Sequence, residues 1–374
     1  EVAATTNRRM ALIKLQAGDL ATGLFRVPDL QEDALNCLQA AFASPLQLQH
    51  VDLWSVVPGE DATGPVHRPV FSVAVDRDEF VRATRVSRPA DPVLDGLGLV
   101  RFAPEFLRYA RALPGSHTAR SLPRNAWCDT PVRDNWERLR EQCASDRRLR
   151  KVSKARVVVH IPVTDNSVGL TIDDGPHPLI TPLFLDILAR HKVRATFFMV
   201  GEKAEEFPEL LRRTVDEGHE IGNHTYDHPR LGALPAADAL AQIRGGAQAL
   251  GELSGRSPQL LRPPGGGVAE DVLRAAAAAD ATVVLWTHNT NDWLRPSPEE
   301  IAANALRDLT PGAIILMHQG SLESVAALPL IIEGAEAMGL RLRPVGEMLR
   351  HCPPRPMPVA EIMDKYQHHL LGEE

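Results

Sequence analysis

The sequence has few cysteines, and they are too far apart to form a recognisable site. The 374 residues contain four of them: Cys37, Cys128, Cys143 and Cys352. No two have the Cys-x-x-Cys spacing that marks many structural zinc sites and redox motifs. A chain of this length has no need of disulfide bonds, so we expect free or buried thiols in a reducing compartment.

Long apolar runs and an excess of positive charge are also absent. No apolar stretch approaches the ~20 residues that cross a bilayer. The net charge of −7 argues against nucleic acid and against an anionic membrane surface as partners, because both require a basic face. We predict a cytoplasmic protein. Secretion stays open, because the chain begins at Glu1 rather than Met and a preceding segment could have been removed.

The length predicts two domains, because single cores seldom grow beyond about 250–300 residues. We place an N-terminal α/β domain at 1–150, a second domain at 151–352, and a Pro-rich and then helical tail at 353–374. In the first domain the patterns predict a helix at 29–42 and strands at 10–15, 50–57 and 71–75. No catalytic pattern occurs there, so we expect this domain to select substrate or to form contacts in a homo-oligomer.

From Val168 onward, strands alternate with helices. The predicted strands are 168–172, 195–200, 282–286 and 313–317, and the predicted helices are 183–190, 207–217, 269–279 and 328–338. A charged helical pattern at 135–151 links the two domains. Such alternation is the signature of a parallel sheet or barrel, in which active sites form at the carboxyl ends of the strands.

Two adjacent carboxylates follow the first of these strands. In LTIDDGP, residues 170–176, Asp173 and Asp174 precede a Gly-Pro turn. Neighbouring side chains of a strand point apart, but a turn can aim both into one site, where one binds a metal and the other acts as a base. The same pattern suits an Asx turn or a helix N-cap, so alone it leaves both interpretations open.

Two histidines occur about fifty residues later, in HTYDHP at 224–229. Nearby glycines and Pro229 indicate a strand running into a loop. His224 and His228 alone would more often be solvated or capping residues. Joined to one aspartate of the earlier turn, they favour an open three-ligand site typical of catalytic zinc. Two histidines and a carboxylate also suit iron(II).

Three further segments complete the set. RPPGGG at 262–267 offers a guanidinium and backbone N–H groups. WTHNTNDW at 286–293 offers a carboxylate beside an aromatic wall. ILMH at 315–318 leaves a histidine at the end of the last strand, in the position of a general acid. Each segment says little alone, whereas their order and spacing together are informative.

The five segments resemble the five motifs of the NodB-homology polysaccharide deacetylases, over residues 167–350. The connecting segment KVRATFFMVG at 192–201 is similar to that family as well. The resemblance implies an α/β fold, namely a distorted (β/α) barrel with fewer strands than a standard TIM barrel. It also implies hydrolysis of N-acetyl or other amide groups.

The resemblance further implies a role for each matched residue. The metal ligands, for Zn²⁺ or another divalent transition metal, would be Asp174, His224 and His228. The catalytic residues would be Asp173 as base, Arg262 orienting that base, His318 as the acid that protonates the leaving amine, and Asp292 tuning that acid. The residues that bind the oxyanion or the substrate would be Pro264, Gly265, Asn289 and Trp293.

Three positions depart from the family pattern. Gly265 stands where the family usually has Tyr, so the backbone N–H is kept and the ring is lost. Asn289 replaces the first Asp of the fourth motif, which removes the usual carboxylate partner of Arg262. Gln319 follows His318 where Asp is frequent. These departures bear on the sugar-polymer substrate more than on the metal.

We therefore predict a zinc-dependent N-deacetylase, acting on a carbon–nitrogen bond other than a peptide bond through a zinc-activated water. Its substrate would be an N-acylated sugar or a related small amide. Two alternatives stay open. One is a catalytically decayed carbohydrate-binding module of the same family, and the other is a non-haem iron enzyme using the same Asp-His-His site. Retention of both aspartates and all three histidines argues against the decayed module.

Overall fold

The computed structural model describes residues 2–5, 10–16, 27–43, 50–61, 64–86, 100–102, 132–177 and 180–366. The chain divides into two compact units, Glu1–Leu122 and Pro123–Glu374. This division falls earlier than the predicted boundary at 150. The reason is that the charged helical segment packs on the second unit, for example through the Arg140 Nε to Asp238 Oδ1 hydrogen bond of 2.9 Å.

In the first unit, the described residues form a sheet with two helices. The strands are β1 Val2–Thr5, β2 Met10–Gln16, β3 His50–Asp61, β4 Gly64–Asp76 and β5 Val100–Phe102, and they lie in that order. The helices are α1 Val27–Ala43 and α2 Arg77–Val86. β2 and β3 pair in parallel, while the other pairs are antiparallel. The three predicted strands and the predicted helix are present and longer than predicted, most of all β4, which begins at Gly64 where the prediction began at 71. The role of this unit stays a prediction.

The second unit is a mixed α/β fold built on a largely parallel sheet. Its strands are β6 Lys154–Val158, β7 Ser167–Gly175, β8 Thr196–Met199, β9 Glu220–Asn223, β10 Leu260–Leu261, β11 Thr282–Val284, β12 His288–Asn289, β13 Ile314–His318, β14 Arg341–Arg343 and β15 Met357–Pro358. The sheet order is β12-β13-β7-β8-β9-β10-β11-β6-β15, with β14 paired to the start of β7. The β6–β15 pair is antiparallel. Closure of this sheet into the predicted barrel stays a prediction.

Helices cover the sheet of the second unit. They are α3 Trp136–Ala144, α4 Arg147–Lys151, α5 Ile180–His191, α6 Gly201–Glu206, α7 Pro208–Asp216, α8 Ala236–Ser254, α9 Glu270–Ala278, α10 Pro298–Leu306, α11 Leu322–Ala337, α12 Val345–Leu349 and α13 Val359–Lys365. β8 is buried along its whole length, as expected of a parallel strand covered on both faces. The predicted tail helix is α13, which buries Val359 and Ile362.

Several helices differ from the sequence-based expectation, and α6, α10 and α12 were not predicted at all. α11 begins at Leu322, capped by the Ser321 side chain, whereas the prediction started it at 328. Pro329 lies inside this helix instead of near its start, which made the position of the N-terminus hard to predict. α8 was not predicted, because its glycines interrupt the apolar pattern. One of them, Gly246, is required by packing, since a Cβ there would collide with the backbone of Thr225.

Cys143 and Cys352 are free thiols. The predicted thiols are thus present at these two described positions. No helix among the described residues is both long and apolar enough to span a membrane. The predicted compartment and the predicted homo-oligomer stay predictions.

Candidate active site

The predicted functional residues lie at the carboxyl ends of neighbouring strands. His318, the last residue of β13, lies opposite Asp173 of β7 in the strand register. His224 directly follows β9, and Arg262 directly follows β10. Because these strands are parallel, their carboxyl ends share one edge, and residues far apart in the chain meet there.

A local irregularity brings both aspartates into one cavity. The register between β7 and β8 shifts between Asp173 and Gly175. Asp174 has a left-handed backbone conformation, with φ of 73°, which non-glycine residues seldom adopt. Asp173 and Asp174 therefore line the same cavity instead of pointing to opposite faces of the strand.

Asp174, His224 and His228 form a cluster with the geometry of a metal site. Their ligand atoms all lie within 4.8 Å of one another. Asp174 Oδ1 is 3.3 Å from His224 Nε2 and 3.0 Å from His228 Nε2. This carboxylate oxygen is buried and accepts no hydrogen bond. A buried anionic oxygen without a donor is costly, and a cation at this point would satisfy it.

The loop conformation and one hydrogen bond orient the histidines. Thr225 and His228 both have positive φ, 69° and 66°, so the segment is a loop and not a helix. His224 Nδ1 lies 2.7 Å from the carbonyl oxygen of Arg262. Nδ1 must then carry the proton, because a carbonyl can only accept. That tautomer leaves the lone pair of His224 Nε2 directed towards Asp174, as is usual for a metal-binding histidine.

Arg262 is fully buried and holds Asp173. Its Nη1 donates to Asp173 Oδ1 at 2.8 Å and to Thr171 Oγ1 at 2.7 Å. Its Nε and Nη2 donate to the carbonyls of Val284 and Leu285, each at 3.1 Å. Burial lowers the pKa of Arg262, and the Asp173 carboxylate offsets part of that effect.

The second oxygen of Asp173 faces the metal cluster. Asp173 Oδ2 is 3.8 Å from His224 Nε2. The carboxylate is thus fixed through one oxygen and directed into the cavity through the other. This is the arrangement expected of a positioned base.

His318 is oriented by a buried carboxylate, Asp292. Its Nδ1 lies 2.7 Å from Asp292 Oδ1, and its backbone N–H donates to Asp292 Oδ2 at 2.8 Å. Burial acts to lower the pKa of His318. The hydrogen bond to Asp292 and the charges of Asp292, Asp173 and Asp174 outweigh burial and raise that pKa to about 9. His318 is therefore protonated near neutral pH, as a general acid must be.

The cavity that joins these groups is small, about 170 Å³. Its lining residues are Asp173, Asp174, His224, His228, Pro263, Gly265, Gly266, Trp286, Trp293, Leu316 and His318. Among the predicted substrate-binding residues, Gly265 and Trp293 line it, with Trp293 44% exposed at the rim. Pro264 and Asn289 are not among the described lining residues.

The side chain of Asn289 makes a hydrogen bond within its own segment. Its side-chain oxygen accepts the backbone N–H of Asn291 at 2.9 Å. No hydrogen bond joins Asn289 to Arg262 within the part of the chain that the structure describes. Arg262 finds its carboxylate partner in Asp173 itself. The absence of a carboxylate at 289 thus leaves Arg262 paired with Asp173, and the substrate role predicted for Asn289 stays a prediction.

Gln319, the third departure from the family pattern, takes a structural position beneath the site. Its backbone N–H donates to the carbonyl of Asp173 at 3.0 Å. Its side-chain oxygen accepts from the Thr181 hydroxyl. It thereby ties the end of β13 to β7 and to helix α5, outside the described lining of the cavity.

Sequence reasoning missed three residues that complete the site. Ser324 Oγ donates to Asp292 Oδ2 at 2.7 Å from helix α11. The Thr171 hydroxyl accepts from Arg262 and donates to the carbonyl of Ile315. Trp286 lines the cavity. Trp286 stands in a segment already singled out, whereas nothing in the sequence around Ser324 or Thr171 points to their partners.

Comparisons with known proteins identify the family of this chain. A family model described as polysaccharide deacetylase matches residues 160–284. The chain is 35% identical over 197 residues to a chitooligosaccharide deacetylase of Bradyrhizobium, across 49% of this chain and 90% of that protein. The chain belongs to the polysaccharide deacetylase family. It is also 41% identical over 184 residues to a peptidoglycan-N-acetylglucosamine deacetylase of Bacillus cereus, across 48% of this chain and 67% of that protein.

Solved structures of polysaccharide deacetylases share the fold of the second unit. A peptidoglycan N-acetylglucosamine deacetylase in complex with an N-oxidanyl-benzamide compound matches 52% of this chain and 92% of its own, with a TM-score of 0.50 and 38% identity. A mutant of a CE4 family pseudoenzyme with restored enzymatic activity matches 52% of this chain and 71% of its own, with a TM-score of 0.50 and 30% identity. The family therefore includes both enzymes and a pseudoenzyme, which makes the completeness of the site the decisive question for this chain.

Proposed function

We propose that this protein is a metal-dependent N-deacetylase that removes acetyl groups from N-acetylglucosamine units of a glycan. One observation carries the proposal. Asp173 and His318, a positioned base and a protonated acid, line the same cavity as the three-residue cluster of Asp174, His224 and His228. A pseudoenzyme would not need all three functions to converge.

The cluster fits a divalent metal ion, which we propose to be zinc. One carboxylate oxygen and two imidazole nitrogens are a ligand set that catalytic zinc commonly uses, and they leave room for further ligands. The buried Asp174 Oδ1 without a hydrogen-bond donor is the feature that calls for a cation. When bound, zinc acidifies a water to a pKa near 7 and polarises the amide carbonyl.

Asp173 would act as the general base. Arg262 fixes Oδ1, so that Oδ2 can take a proton from the attacking water. Only the ionised carboxylate is able to accept that proton. A positioned base of this kind typically contributes about 10²–10⁴-fold to the rate.

His318 would act as the general acid. Its Nδ1 contacts Asp292, so its Nε2 is the atom able to give a proton to the departing amine. The raised pKa keeps the imidazole protonated at neutral pH. Gly265, with φ of 66°, lines the cavity, and we propose that its backbone N–H stabilises the developing oxyanion.

The substrate class comes from the relatives. Similar proteins are named for N-acetylglucosamine in peptidoglycan and for chitooligosaccharides, which share an acetamide on a sugar ring. We propose that glycans of this kind, and not a small non-sugar amide, are the substrate. The proposal includes closure of the parallel sheet into a distorted barrel, and a role in substrate selection for the first unit.

Acetate release from N-acetylglucosamine oligomers tests the proposal. Activity should vanish after zinc is removed with a chelator and return when zinc is added. A panel including a simple aliphatic acetamide tests the substrate class. Saccharide binding without acetate release would indicate a binding module, and turnover that requires iron(II) and oxygen would indicate an iron enzyme. Either result would overturn the proposal.

A further inference from the structure

The cavity at the metal cluster is too small for a whole oligosaccharide. Pockets that hold small ligands usually measure about 300–1,000 Å³, compared with 170 Å³ here. This cavity suits the reacting acetamide and part of its ring. The neighbouring units of a glycan must therefore contact the protein elsewhere.

A larger cavity, of about 420 Å³, adjoins the same loop that carries the metal ligands. It is lined by residues 133–138 together with Glu202, Tyr226 and Asp227. Asp227 immediately precedes His228, so consecutive residues of one loop line the two cavities, with Cα atoms about 3.8 Å apart. We call the larger one the Trp136 cavity.

The wall of the Trp136 cavity is anchored to the metal loop by several contacts. The ring of Trp136 stacks on Tyr226, with centroids 5.1 Å apart and 23° between planes. Glu205 accepts the Val132 backbone N–H at 2.7 Å and the Tyr226 hydroxyl at 3.0 Å. The wall is therefore a built surface whose position is fixed relative to His224 and His228.

The lining has the chemistry of a saccharide site. Sugar rings commonly pack their C–H face on an aromatic surface, and Trp136 lines this cavity. The hydroxyls of a sugar need both hydrogen-bond donors and acceptors. Two lining side chains are donors with positive charge, Arg133 and Arg138. Four are carboxylates: Asp134, Glu137, Glu202 and Asp227. The excess of carboxylates disfavours a phosphate or another anion and favours a neutral polyhydroxyl group.

We propose that the Trp136 cavity is a second saccharide subsite, which binds a unit of the same glycan chain whose neighbouring unit presents its acetamide at the metal cluster. The inference rests on the proposed function and deepens it. Residues 132–138 precede the segment 160–284 that matches the family model, whereas Glu202, Tyr226 and Asp227 lie within it. This subsite would therefore combine the shared domain with a segment outside the matched region.

The test compares a long and a short substrate in the full-length chain. Arg138→Gln and Trp136→Ala should each lower kcat/KM for an N-acetylglucosamine pentamer about tenfold, mainly by raising KM, because the contact is the same in the ground and transition states. For the N-acetylglucosamine monomer, which cannot occupy both sites at once, kcat/KM should change less than about twofold. Trp136→Phe, which keeps a ring, should retain most of the activity on the pentamer. Arg147→Gln, an exposed charge on α4 outside the cavity, is the matched control and should change neither substrate.

Zinc content and melting temperature of each variant show whether the metal loop is intact. An equal loss on pentamer and monomer would mean that the segment only supports the metal loop, and it would overturn the subsite. An unchanged KM for the pentamer would overturn it as well. If the unchanged protein releases no acetate, the proposed function fails. Calorimetric binding of the pentamer to the unchanged protein and to Arg138→Gln would then still decide the subsite, because only a real subsite gives tenfold weaker binding.

Discussion

The site contains two buried carboxylates that are held in opposite ways. Asp173 is fixed through one oxygen, which accepts from Arg262, and its other oxygen faces the metal cluster. Asp292 is held through both oxygens, by the side chain and the backbone of His318 and by Ser324. Asp173 and Asp292 are buried to a similar extent, so burial does not distinguish a carboxylate that would react from one that supports another residue. The distinguishing feature is the second oxygen of Asp173, which faces the metal cluster.

The cationic partners of the two carboxylates differ as well. Arg262 keeps its charge at every pH of interest, so its pairing with Asp173 holds geometry and charge constant. His318 can lose its proton, and Asp292 determines at which pH it does so. In the proposed function, the Arg262–Asp173 pair would therefore stabilise a base, and the His318–Asp292 pair would tune an acid.

The largest expected effect comes from removing the negative charge of Asp173. Asp173→Asn should lower kcat at least ~10²-fold, because an amide cannot take the proton, while the three metal ligands stay in place. Steady-state acetate release and zinc content of the same preparation measure the two properties.

Asp174→Asn is the matched control for this prediction. It changes the adjacent carboxylate by the same atoms, and it should weaken zinc binding because the Oδ1 that faces both histidines is a ligand oxygen. Equal loss of zinc in the two variants would show that the two aspartates do not divide metal binding from proton transfer.

The next effect concerns the acid pair. Asp292→Asn removes a charge and weakens the hydrogen bond that together raise the pKa of His318 to about 9. A general acid works only below its pKa, so the basic limb of the kcat/KM profile should move to lower pH. At pH 8 the activity should fall about tenfold or more. A cation at Asp174 would offset part of that carboxylate's contribution, but it would leave the contact with Asp292 in place.

Zinc content should not change in Asp292→Asn, because its oxygens contact no metal ligand among the described residues. A basic limb at the wild-type position would mean that Asp292 supports His318 only mechanically. In that case Asp292 would not tune His318, and the proposed distinction between the Arg262–Asp173 pair and the His318–Asp292 pair would fail.

Only part of the site could be predicted from the sequence. Residues that belong to a motif, such as Asp174 or His228, lie next to a turn or to a second residue of a diagnostic type. The α/β class, the parallel sheet and its strands β7, β8, β11 and β13 were also predictable, because apolar runs alternate with helical spacing, whereas the short strands such as β10 and β12 were not predicted. Ser324 supports Asp292 from a helix whose start was predicted too late, and a hydroxyl carries no local signal of its partner. Long-range contacts of single polar groups depend on packing that sequence spacing does not encode.

A smaller effect is expected from the hydroxyls that support each pair. Ser324→Ala removes one hydrogen bond to Asp292, and Thr171→Val removes the hydroxyl that accepts from Arg262. A hydrogen bond to a charged group contributes ~1.5–3 kcal/mol, and part of this should appear in stability. Ser324→Ala should also shift the basic limb slightly to lower pH, whereas Thr171→Val should leave that limb unchanged. Thermal unfolding and pH profiles of both variants check this, and the same basic-limb shift in both would contradict the separation of the two pairs.

The smallest effect is expected at Asn289. Asp in its place would bring a charge, and an effect on the base would require contact with Arg262 or Asp173. The Asn289 side chain instead accepts the Asn291 backbone N–H, which an Asp oxygen can also do. Arg262 is fully buried and already donates to Asp173, to Thr171 and to two carbonyls. Asn289→Asp should therefore leave the acidic limb of the kcat/KM profile where it is, with kcat/KM changed less than about twofold, as for a substitution outside the catalytic contacts. An upward shift of that limb would show that a carboxylate at 289 competes with Asp173 for the guanidinium. The Arg262–Asp173 pair would then be accessible to a third charged group, although the contacts in the structure show Arg262 already occupied.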